Sequence, residues 1–512
     1  MPDTRATIID QPLIVLHPDD SVGIARHEIA AGTALQGGLV VASRVPAGHK
    51  VALKPHAAGD KILRYGQIIG FASAPIAVGA HVHEHNLGLG EFTRDHAIGA
   101  DRQSPAPHLT GRGFLGYRRP DGRVGTRNYV GILTTVNCSA HVALSVARAF
   151  ERNEMAGYDP LAEFPNVDGV VALTHKTGCG MSAGEPLQLL RRTLEGYARH
   201  PNFSHVIVLG LGCEVNQVGG LFDGGNPALR RLTIQGEGGA RKTIARAVED
   251  IRAILAEPNA VNREWVPASE LKVALICGGS DSYSGITANP ALGAASDLVV
   301  RHGGTVILSE TPETFGAEHL LTRRAATQAV GERLVDRIRW WESYAAAHGV
   351  SLNANPTPGN KAGGLTTIIE KSLGAIAKAG RTNLEQVIEY AEPATMRGLV
   401  FMDGPGYDPV QVTGQIASGA NVVAFTTGRG SVFGSKPVPT VKLATNSPMY
   451  RHMADDMDIN CGTILDGEES VADCGKRIFD RLLATAGGHR SKSEEQDFGA
   501  PEFAPWVIGP VI

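Results

Sequence analysis

Short apolar runs alternate with helical segments over most of the chain after about residue 112, and this alternation restricts the fold more than any other feature. The runs are rich in β-branched residues, as in VIVL at 206–209, and they end at glycine or polar residues. Segment 241–257 lies between two such runs and has its apolar residues at helical spacing. Nearly continuous apolar strands separated by helices are typical of parallel sheets covered on both faces. The pattern predicts Rossmann-like, parallel-sheet α/β domains.

The first hundred residues have a different texture, with short strand-like runs between turn glycines and prolines and no sustained helical period. This texture is typical of a small β domain. A polar stretch with scattered proline and glycine follows it and indicates a linker. We expect a β domain at 1–98, a linker at 99–111, an α/β domain at 112–265, and a second α/β domain with further site loops at 266–512.

Four of the six cysteines directly follow an apolar run that is interpreted as a parallel strand. Loops at the carboxyl ends of parallel strands collect the ligands of α/β proteins, so we expect the four thiols to line one crevice. Cysteine also packs as an ordinary small buried residue, and that interpretation stays open. Clustered thiolates suit soft metals and iron–sulfur clusters, and the close C-x-x-C spacing of zinc fingers is absent. The four are Cys138, Cys179, Cys213 and Cys277.

Polar side chains follow several runs of the same kind. Arg429 ends one of them, and its guanidinium has the fork geometry that a carboxylate accepts. Lys361 lies in a glycine-rich polar loop at 358–364, where its amine and the backbone amides suit a substrate carboxylate. This loop lacks the full GxxxxGK[ST] pattern, so we do not interpret it as a nucleotide loop. Further strand-end candidates are His175, Ser280, Asp281 and Glu310.

Histidines alternate in the β domain at His81, His83 and His85. In a strand these imidazoles would project from one face, where His-x-His offers two ligands to a divalent metal. Alternating histidines on a solvated strand need no function, so both interpretations stay open. His49 and Lys50 form a second polar group just before an apolar strand and are candidates for a base or for substrate binding.

The composition excludes several functional classes. The net charge is -4 with both signs interspersed, which argues against a nucleic-acid-binding surface and a polybasic membrane anchor. No apolar run approaches the roughly 20 residues of a membrane span, and the N-terminus shows no signal-peptide pattern. Six cysteines in 512 residues do not make a disulfide framework. We expect a cytoplasmic protein with reduced thiols, a small-molecule substrate and no nucleic-acid or membrane partner, and a homo-oligomer is possible.

Many stretches resemble the altronate/galactarate dehydratase family, over nearly the whole chain. They include HPDDSVGIA, VPAGHKVAL, HVHEHN, THKTGCG, LGLGCE, CGGSDSYSGITANPALG, ETPETFGAEHLL, NPTPGNKAGGLTTIIEKSLG and FTTGRG. The resemblance implies that the β domain is an SAF (β-clip) domain. HVHEHN and FGAEHLL are similar to the altronate branch, whereas GYDPVQVTGQIASGANVVAF and DMDINCGTI partly resemble the galactarate branch.

The resemblance implies a hydro-lyase that converts a sugar acid such as D-altronate to its 2-keto-3-deoxy acid, supported by ferrous or manganous ion. The C2 proton is weakly acidic, so the site needs a base, an acid for the leaving hydroxyl, and positive charge beside the carboxylate. Galactarate is the second substrate that the resemblance allows. A lyase acting on a sulfonated hydroxy acid and a sugar-acid-binding regulatory protein also stay open as functions.

The chemistry of this reaction gives each candidate residue an expected role. Two metal models stay open: one Fe(II) or Mn(II) ion on histidine and oxygen ligands, or an iron–sulfur cluster on the cysteines. The β domain would close over the crevice as a lid. We expect catalysis by His49, Lys50, His175, Asp281 and Glu310; substrate binding by Ser280, Asn289, Asn360, Lys361 and Arg429; and metal binding by His81, His83, Cys138, Cys179, Cys213 and Cys277.

Overall fold

The computed structural model describes residues 12–91, 94–104, 107–153, 155, 157–221 and 229–509. Parts of three sequence predictions lie outside these ranges. They are the N-terminal segment expected to lack a signal peptide, the outer ends of the first and last predicted domains, and positions 105 and 106 of the predicted linker. Within them, no helix combines the length and the apolar character needed to cross a membrane.

The N-terminal part of the chain consists of short antiparallel strands, as the sequence predicts. They are β1 (Leu13–Ile14), β2 (Val22–Ala25), β3 (Lys50–Ala52), β4 (Lys61–Arg64), β5 (Gln67–Ala72), β6 (His81–Val82) and β7 (Leu87–Gly88). One sheet has the order β1-β2-β3-β6 and the other has β4-β5-β7. Frequent turns keep the strands short, so the β domain has only a small apolar core of its own. Other apolar residues of its two sheets pack against the rest of the chain.

The strand predicted through His81, His83 and His85 is shorter than expected. It ends at Val82 because Asn86 folds the segment back into a turn. The Asn86 side chain accepts a hydrogen bond from the His83 N–H (2.9 Å) and donates one to the His81 carbonyl (3.0 Å). The histidines therefore meet through a turn rather than along one strand face.

A four-stranded parallel sheet forms the centre of the next domain. The strands of this region are β8 (Gly113–Arg118), β9 (Val124–Gly125), β10 (Tyr129–Thr134), β11 (Gly169–Leu173), β12 (Phe203–Gly210) and β13 (Leu229–Thr233), and its helices are α1 (Ala140–Arg148), α2 (Glu185–Ala198), α3 (Ala240–Ile254) and α4 (Ala256–Asn259). The parallel sheet has the order β11-β10-β12-β13. Every residue of β10 is buried, which explains its continuous apolar run.

The last domain is built around a seven-stranded parallel sheet. The strands of this domain are β14 (Glu264–Pro267), β15 (Lys272–Cys277), β16 (Thr305–Leu308), β17 (Leu384–Ile388), β18 (Gly398–Met402), β19 (Val422–Thr427), β20 (Thr440–Ala444) and β21 (Ile459–Asn460), and its helices are α5 (Ala288–Arg301), α6 (His319–Thr322), α7 (Gln328–Ala347), α8 (Pro358–Ala362), α9 (Ile368–Ile376), α10 (Asp408–Ala417), α11 (Ser447–His452), α12 (Val471–Ala486) and α13 (Lys492–Glu495). The parallel sheet has the order β17-β18-β16-β15-β19-β20-β21. The prediction of a β domain followed by parallel-sheet α/β domains is confirmed.

A buried ion triad joins the β domain to the last domain. Lys50 Nζ lies 2.9 Å from Glu370 Oε2, and Arg64 Nη1 lies 2.6 Å from Glu370 Oε1. Lys50 also donates to the Gly364 carbonyl and Arg64 to the Ser282 carbonyl, each at 2.6 Å. Buried charges cost little only while they stay paired and hydrogen-bonded. Opening this interface would separate the charges, and closure of the β domain as a lid stays a prediction.

Removing the Glu370 charge should destabilise the fold strongly. We expect Glu370→Gln to lower the free energy of unfolding by about 3–5 kcal/mol, since two buried cations then lose their counter-charge. Glu84→Gln is the matched control, because Glu84 pairs with Lys361 at 3.0 Å across the same interface but is half-exposed. The control should cost less than about 1 kcal/mol in denaturant unfolding at neutral pH. Equal losses in the two variants would contradict the assignment.

The ion triad should also make stability depend on pH in the acid range. Burial alone would raise the pKa of Glu370, but Lys50 and Arg64 lower it to about 2 from an ordinary value of 4.5. Its stabilisation is therefore complete above about pH 4.5 and is lost as the pH falls toward about 2. Between about pH 5 and 3, wild-type protein should lose roughly 2 kcal/mol more unfolding free energy than Glu370→Gln. Parallel pH profiles would argue against this.

Candidate metal and active site

Three histidines converge where the β domain meets the last domain. His49 Nδ1 lies 3.0 Å from His81 Nε2, and the His83 ring centre is 4.7 Å from that of His49 and 5.6 Å from that of His81. One ring nitrogen from each histidine lies within 4.8 Å of the other two. Two nitrogens that bind one ion at about 2.1 Å are roughly 3 Å apart when adjacent. The three imidazoles, called here the histidine triad, have the spacing of a metal site.

The histidine triad is held in its neutral form, which is the form that binds metal. Burial lowers the pKa of His81 and of His83 to about 4, and the neighbouring histidines and Lys50 act in the same direction. Burial also lowers the pKa of His49. His83 Nδ1 is buried and has no hydrogen-bond partner among the described residues. An unpartnered buried nitrogen in a neutral imidazole cluster fits a metal ligand.

The glycine-rich loop 358–364 packs directly against the histidine triad. The Ala362 carbonyl lies 3.3 Å from His49 Nε2. Gly364 has φ +94°, and a Cβ there would lie 2.4 Å from the Gly48 carbonyl oxygen, so only glycine permits this approach. Lys361 reaches the β domain and pairs with Glu84 at 3.0 Å. The loop predicted to bind substrate is therefore adjacent to the predicted metal ligands.

Asp281 fixes the loops that follow β15 and β20 on the other side of this glycine-rich loop. One carboxylate oxygen accepts from the Ser284 N–H and hydroxyl at 2.8 and 3.0 Å. The other accepts from Thr445 Oγ1 at 3.0 Å and from Asn446 Nδ2 at 3.3 Å. Burial raises the pKa of Asp281, and these hydrogen bonds oppose the shift. Since both oxygens are engaged, Asp281 positions these loops, and its catalytic role stays a prediction.

The predicted substrate-binding side chains divide into available and engaged groups. Arg429 is exposed, and its guanidinium has no partner among the described residues. Ser280 Oγ is buried and has no hydrogen-bond partner among the residues that the structure describes. Asn360 is engaged, because Nδ2 donates to the Ser280 carbonyl (2.8 Å) and its oxygen caps α8. Asn289 is also engaged, donating to the Gly374 carbonyl and accepting from Thr426, and its predicted substrate contact stays a prediction.

A second ionic cluster is sealed at the ends of β15 and β16. Lys378 Nζ lies 2.8 Å from Cys277 Sγ and 3.2 Å from Glu310 Oε2, and Lys371 Nζ lies 2.7 Å from Glu313. Burial raises the pKa of Glu310 to about 8 and that of Cys277 to about 12. Cys277, Glu310 and Glu313 are spaced closely enough for a metal, but the two lysine ammonium groups already supply the positive charge. The contacts of this cluster are buried ion pairs, and the catalytic role of Glu310 and the metal role of Cys277 stay predictions.

Two more predicted catalytic residues are engaged elsewhere. His175 Nε2 lies 2.8 Å from the Thr134 carbonyl and Nδ1 accepts from the Thr177 N–H, so the ring has no free nitrogen. Burial lowers the pKa of His175 to about 4. Lys50 is fully buried in the ion triad. Both side chains are engaged by buried partners, and their catalytic roles stay predictions.

The four strand-end cysteines do not share one crevice as expected. Cys277 is buried in the second ionic cluster, whereas Cys138, Cys179 and Cys213 are exposed at the other parallel sheet. The sequence analysis missed Glu370, Lys378 and Asn446. A signal for the first two existed, because they are two of the three charged residues in the otherwise mostly small and apolar stretch 368–379.

Comparison with known proteins gives matches to three family models along the chain. The altronate/galactarate dehydratase SAF domain matches residues 11–89, the D-galactarate dehydratase/altronate hydrolase second domain matches 116–259, and the D-galactarate/altronate dehydratase C-terminal domain matches 268–511.

Similar individual proteins cover nearly all of the chain. Galactarate dehydratase (L-threo-forming) of Escherichia coli (strain K12) is 40% identical, over 94% of this chain and 94% of its own. Altronate dehydratase of the same strain is 36% identical, over 95% of this chain and 97% of its own. The (2R)-sulfolactate sulfo-lyase subunit beta of Chromohalobacter salexigens is 36% identical, over 75% of this chain and 95% of its own.

Proposed function

The chain belongs to the galactarate/altronate dehydratase family, and on that premise we propose that it is a hydro-lyase converting a sugar acid to its 2-keto-3-deoxy acid. D-altronate is the first candidate substrate and galactarate is the second. The observation that carries the proposal is the histidine triad packed against loop 358–364, beside the strand-end loops that present Ser280 and Arg429. A cytoplasmic location and a homo-oligomer stay predictions from the sequence.

The histidine triad would hold the divalent ion, Fe(II) or Mn(II). Such an ion, when bound, supplies positive charge beside the substrate carboxylate as a Lewis acid. His49, His81 and His83 fit it because burial keeps them neutral and brings their nitrogens together. Hard oxygen ligands of a hydroxy acid and imidazole nitrogens suit the same divalent ions.

Two cations and one hydroxyl are available for the polar groups of the substrate. Arg429 has no partner among the described residues, so its guanidinium is free for a bidentate pair with a carboxylate. Ser280 Oγ is unpartnered and can hydrogen-bond a substrate hydroxyl. Lys361 must exchange Glu84 for the substrate, and this exposed pair is inexpensive to break.

His85 is the side chain we assign to proton transfer. It is exposed, and its ring centre lies 5.5 Å from that of His81. Imidazole is the side-chain group that exchanges protons near neutral pH. It would take the C2 proton, and the proton it then carries is available to the C3 hydroxyl as this leaves as water. The resulting enol tautomerises to the ketone.

The proposal is tested by assaying anaerobically purified protein with Fe(II) or Mn(II) against D-altronate, galactarate and (2R)-sulfolactate. We expect metal-dependent formation of a 2-keto-3-deoxy acid from at least one of the sugar acids. Sulfite release from sulfolactate without any keto-deoxy product would instead favour a sulfo-lyase, as the similarity to that enzyme allows. No product from either sugar acid would refute the proposal.

Removing a single imidazole of the histidine triad should abolish tight metal binding. We expect His81→Ala and His83→Ala each to lose the bound ion and to lower kcat/KM by more than the roughly 10–100-fold that the loss of an outer-sphere partner costs. His27→Ala is the matched control, since His27 is exposed in the same domain and outside the triad. Metal content after desalting and activity are measured together. Full metal occupancy in the triad variants would contradict the ligand assignment.

The role of His85 can be tested separately from metal binding. His85→Gln should lower kcat by about 10²–10⁴ while leaving metal content unchanged, because it removes proton transfer and keeps the histidine triad. An unchanged kcat, or a parallel loss of the metal, would show that His85 has a different role.

A further inference from the structure

Three cysteines that the proposed reaction does not use are exposed at one end of the middle sheet. Cys138, Cys179 and Cys213 follow β10, β11 and β12, which are adjacent in the sheet with β10 at the centre. Unpaired cysteine is normally among the most buried residue types. Three exposed thiols at neighbouring strand ends therefore do not fit an ordinary packing role.

Backbone hydrogen bonds close to each cysteine tie the three loops together. Asn137, next to Cys138, donates its N–H to the Thr177 carbonyl at 3.0 Å. The Val215 N–H donates to the carbonyl of Cys179 itself at 3.4 Å. The thiols are thus carried on one interconnected surface of the domain.

Glycine allows these loops to approach closely. Gly178 precedes Cys179 and has φ +102°, and a Cβ there would lie 2.2 Å from the Thr135 carbonyl oxygen. The Asn216 N–H donates to the Gly178 carbonyl at 3.1 Å, and its side-chain amide donates to the Thr135 carbonyl at 3.0 Å. The backbone is fixed at the point from which the thiols extend.

Glu214 explains why an acid follows a thiol at this strand end. Its carboxylate is buried and accepts hydrogen bonds from Thr135 Oγ1 (2.6 Å), the Leu211 N–H (3.1 Å) and the Gly212 N–H (2.6 Å). The acid fixes the turn while Cys213 stays exposed, and Gln235 Nε2 donates to Cys213 Sγ at 3.4 Å. Hydrogen bonds to cysteine sulfur are one means by which proteins tune iron–sulfur clusters.

We propose that Cys138, Cys179 and Cys213 hold an iron–sulfur cluster on the middle domain, separate from the histidine triad. Within the described part of the chain, the three thiols do not form a group whose sulfur atoms all lie within 4.8 Å of one another, the closeness expected for a single ion. A cluster of several irons spreads its thiolates further apart. Three thiolates on a four-iron cluster leave one iron open to a non-cysteine ligand, such as an oxygen of a small molecule. This assignment stands without the dehydratase proposal.

The test is anaerobic reconstitution of the full chain with Fe(II) and sulfide, followed by desalting. We expect about four acid-labile sulfides and about four irons per chain in addition to the one ion that the histidine triad would hold, with broad visible absorption that dithionite bleaches. Cys138→Ser, Cys179→Ser and Cys213→Ser should each lose the sulfide and the absorption. Cys474→Ala is the control and should keep both, because Cys474 is buried in the core away from these loops.

A second measurement remains informative if a serine variant folds poorly. Thiol labelling of native wild-type protein should modify three fewer cysteines after reconstitution than before it. His81→Ala should keep the cluster even where it abolishes activity, so failure of the dehydratase proposal leaves this result intact. Iron without sulfide, one zinc per chain, unchanged labelling, or a cluster retained in all three serine variants would each overturn the proposal.

Discussion

The ion triad of Lys50, Arg64 and Glu370 is the contact on which the rest of the site depends. One buried carboxylate pairs with two cations from the β domain, and all three side chains are almost fully excluded from water. Such an arrangement gives little net stability over apolar packing, but it is costly to break and it specifies one geometry. Lys50 adjoins His49 in the chain, so the ion triad also fixes where the histidine triad lies.

The candidate site forms where the β domain meets the last domain, and neither domain supplies all of its groups alone. The β domain contributes imidazoles that are kept neutral by burial. The last domain contributes loop 358–364 and the strand-end loops with their cation and unpartnered hydroxyl. Carboxyl ends of parallel strands collect ligand-binding loops, and here the histidines that could hold a metal ion come from a separate domain. Asp281 holds these loops in register without taking part in the proposed chemistry.

Much of the fold could be predicted because periodicity reports burial directly. The continuous apolar runs of β10 and β15 predict parallel strands, and both are buried along nearly their full length. The sequence also predicts that His81 and His83 lie together, although it does not reveal the turn at Asn86 that brings them there. Residue type and strand-end position thus located part of the candidate site.

The rest of the site could not be predicted because residue type does not reveal which partners a side chain meets. His175, Asp281 and Glu310 all have acid–base chemistry and follow strands, yet each is engaged by partners distant in sequence. The converse holds for Glu370 and Lys378, which stand in apolar segments and pair with residues of other elements. Distinguishing a catalytic charge from a structural one required the three-dimensional partners.

The central claim is that the β domain provides the ligands of the divalent ion. The most direct measurement is a crystal structure of the protein grown with Mn(II), with the anomalous signal used to locate the ion. We expect one strong peak within bonding distance of His49, His81 and His83. A peak in the Cys277 cluster or elsewhere on the protein, with the three imidazoles empty, would contradict it.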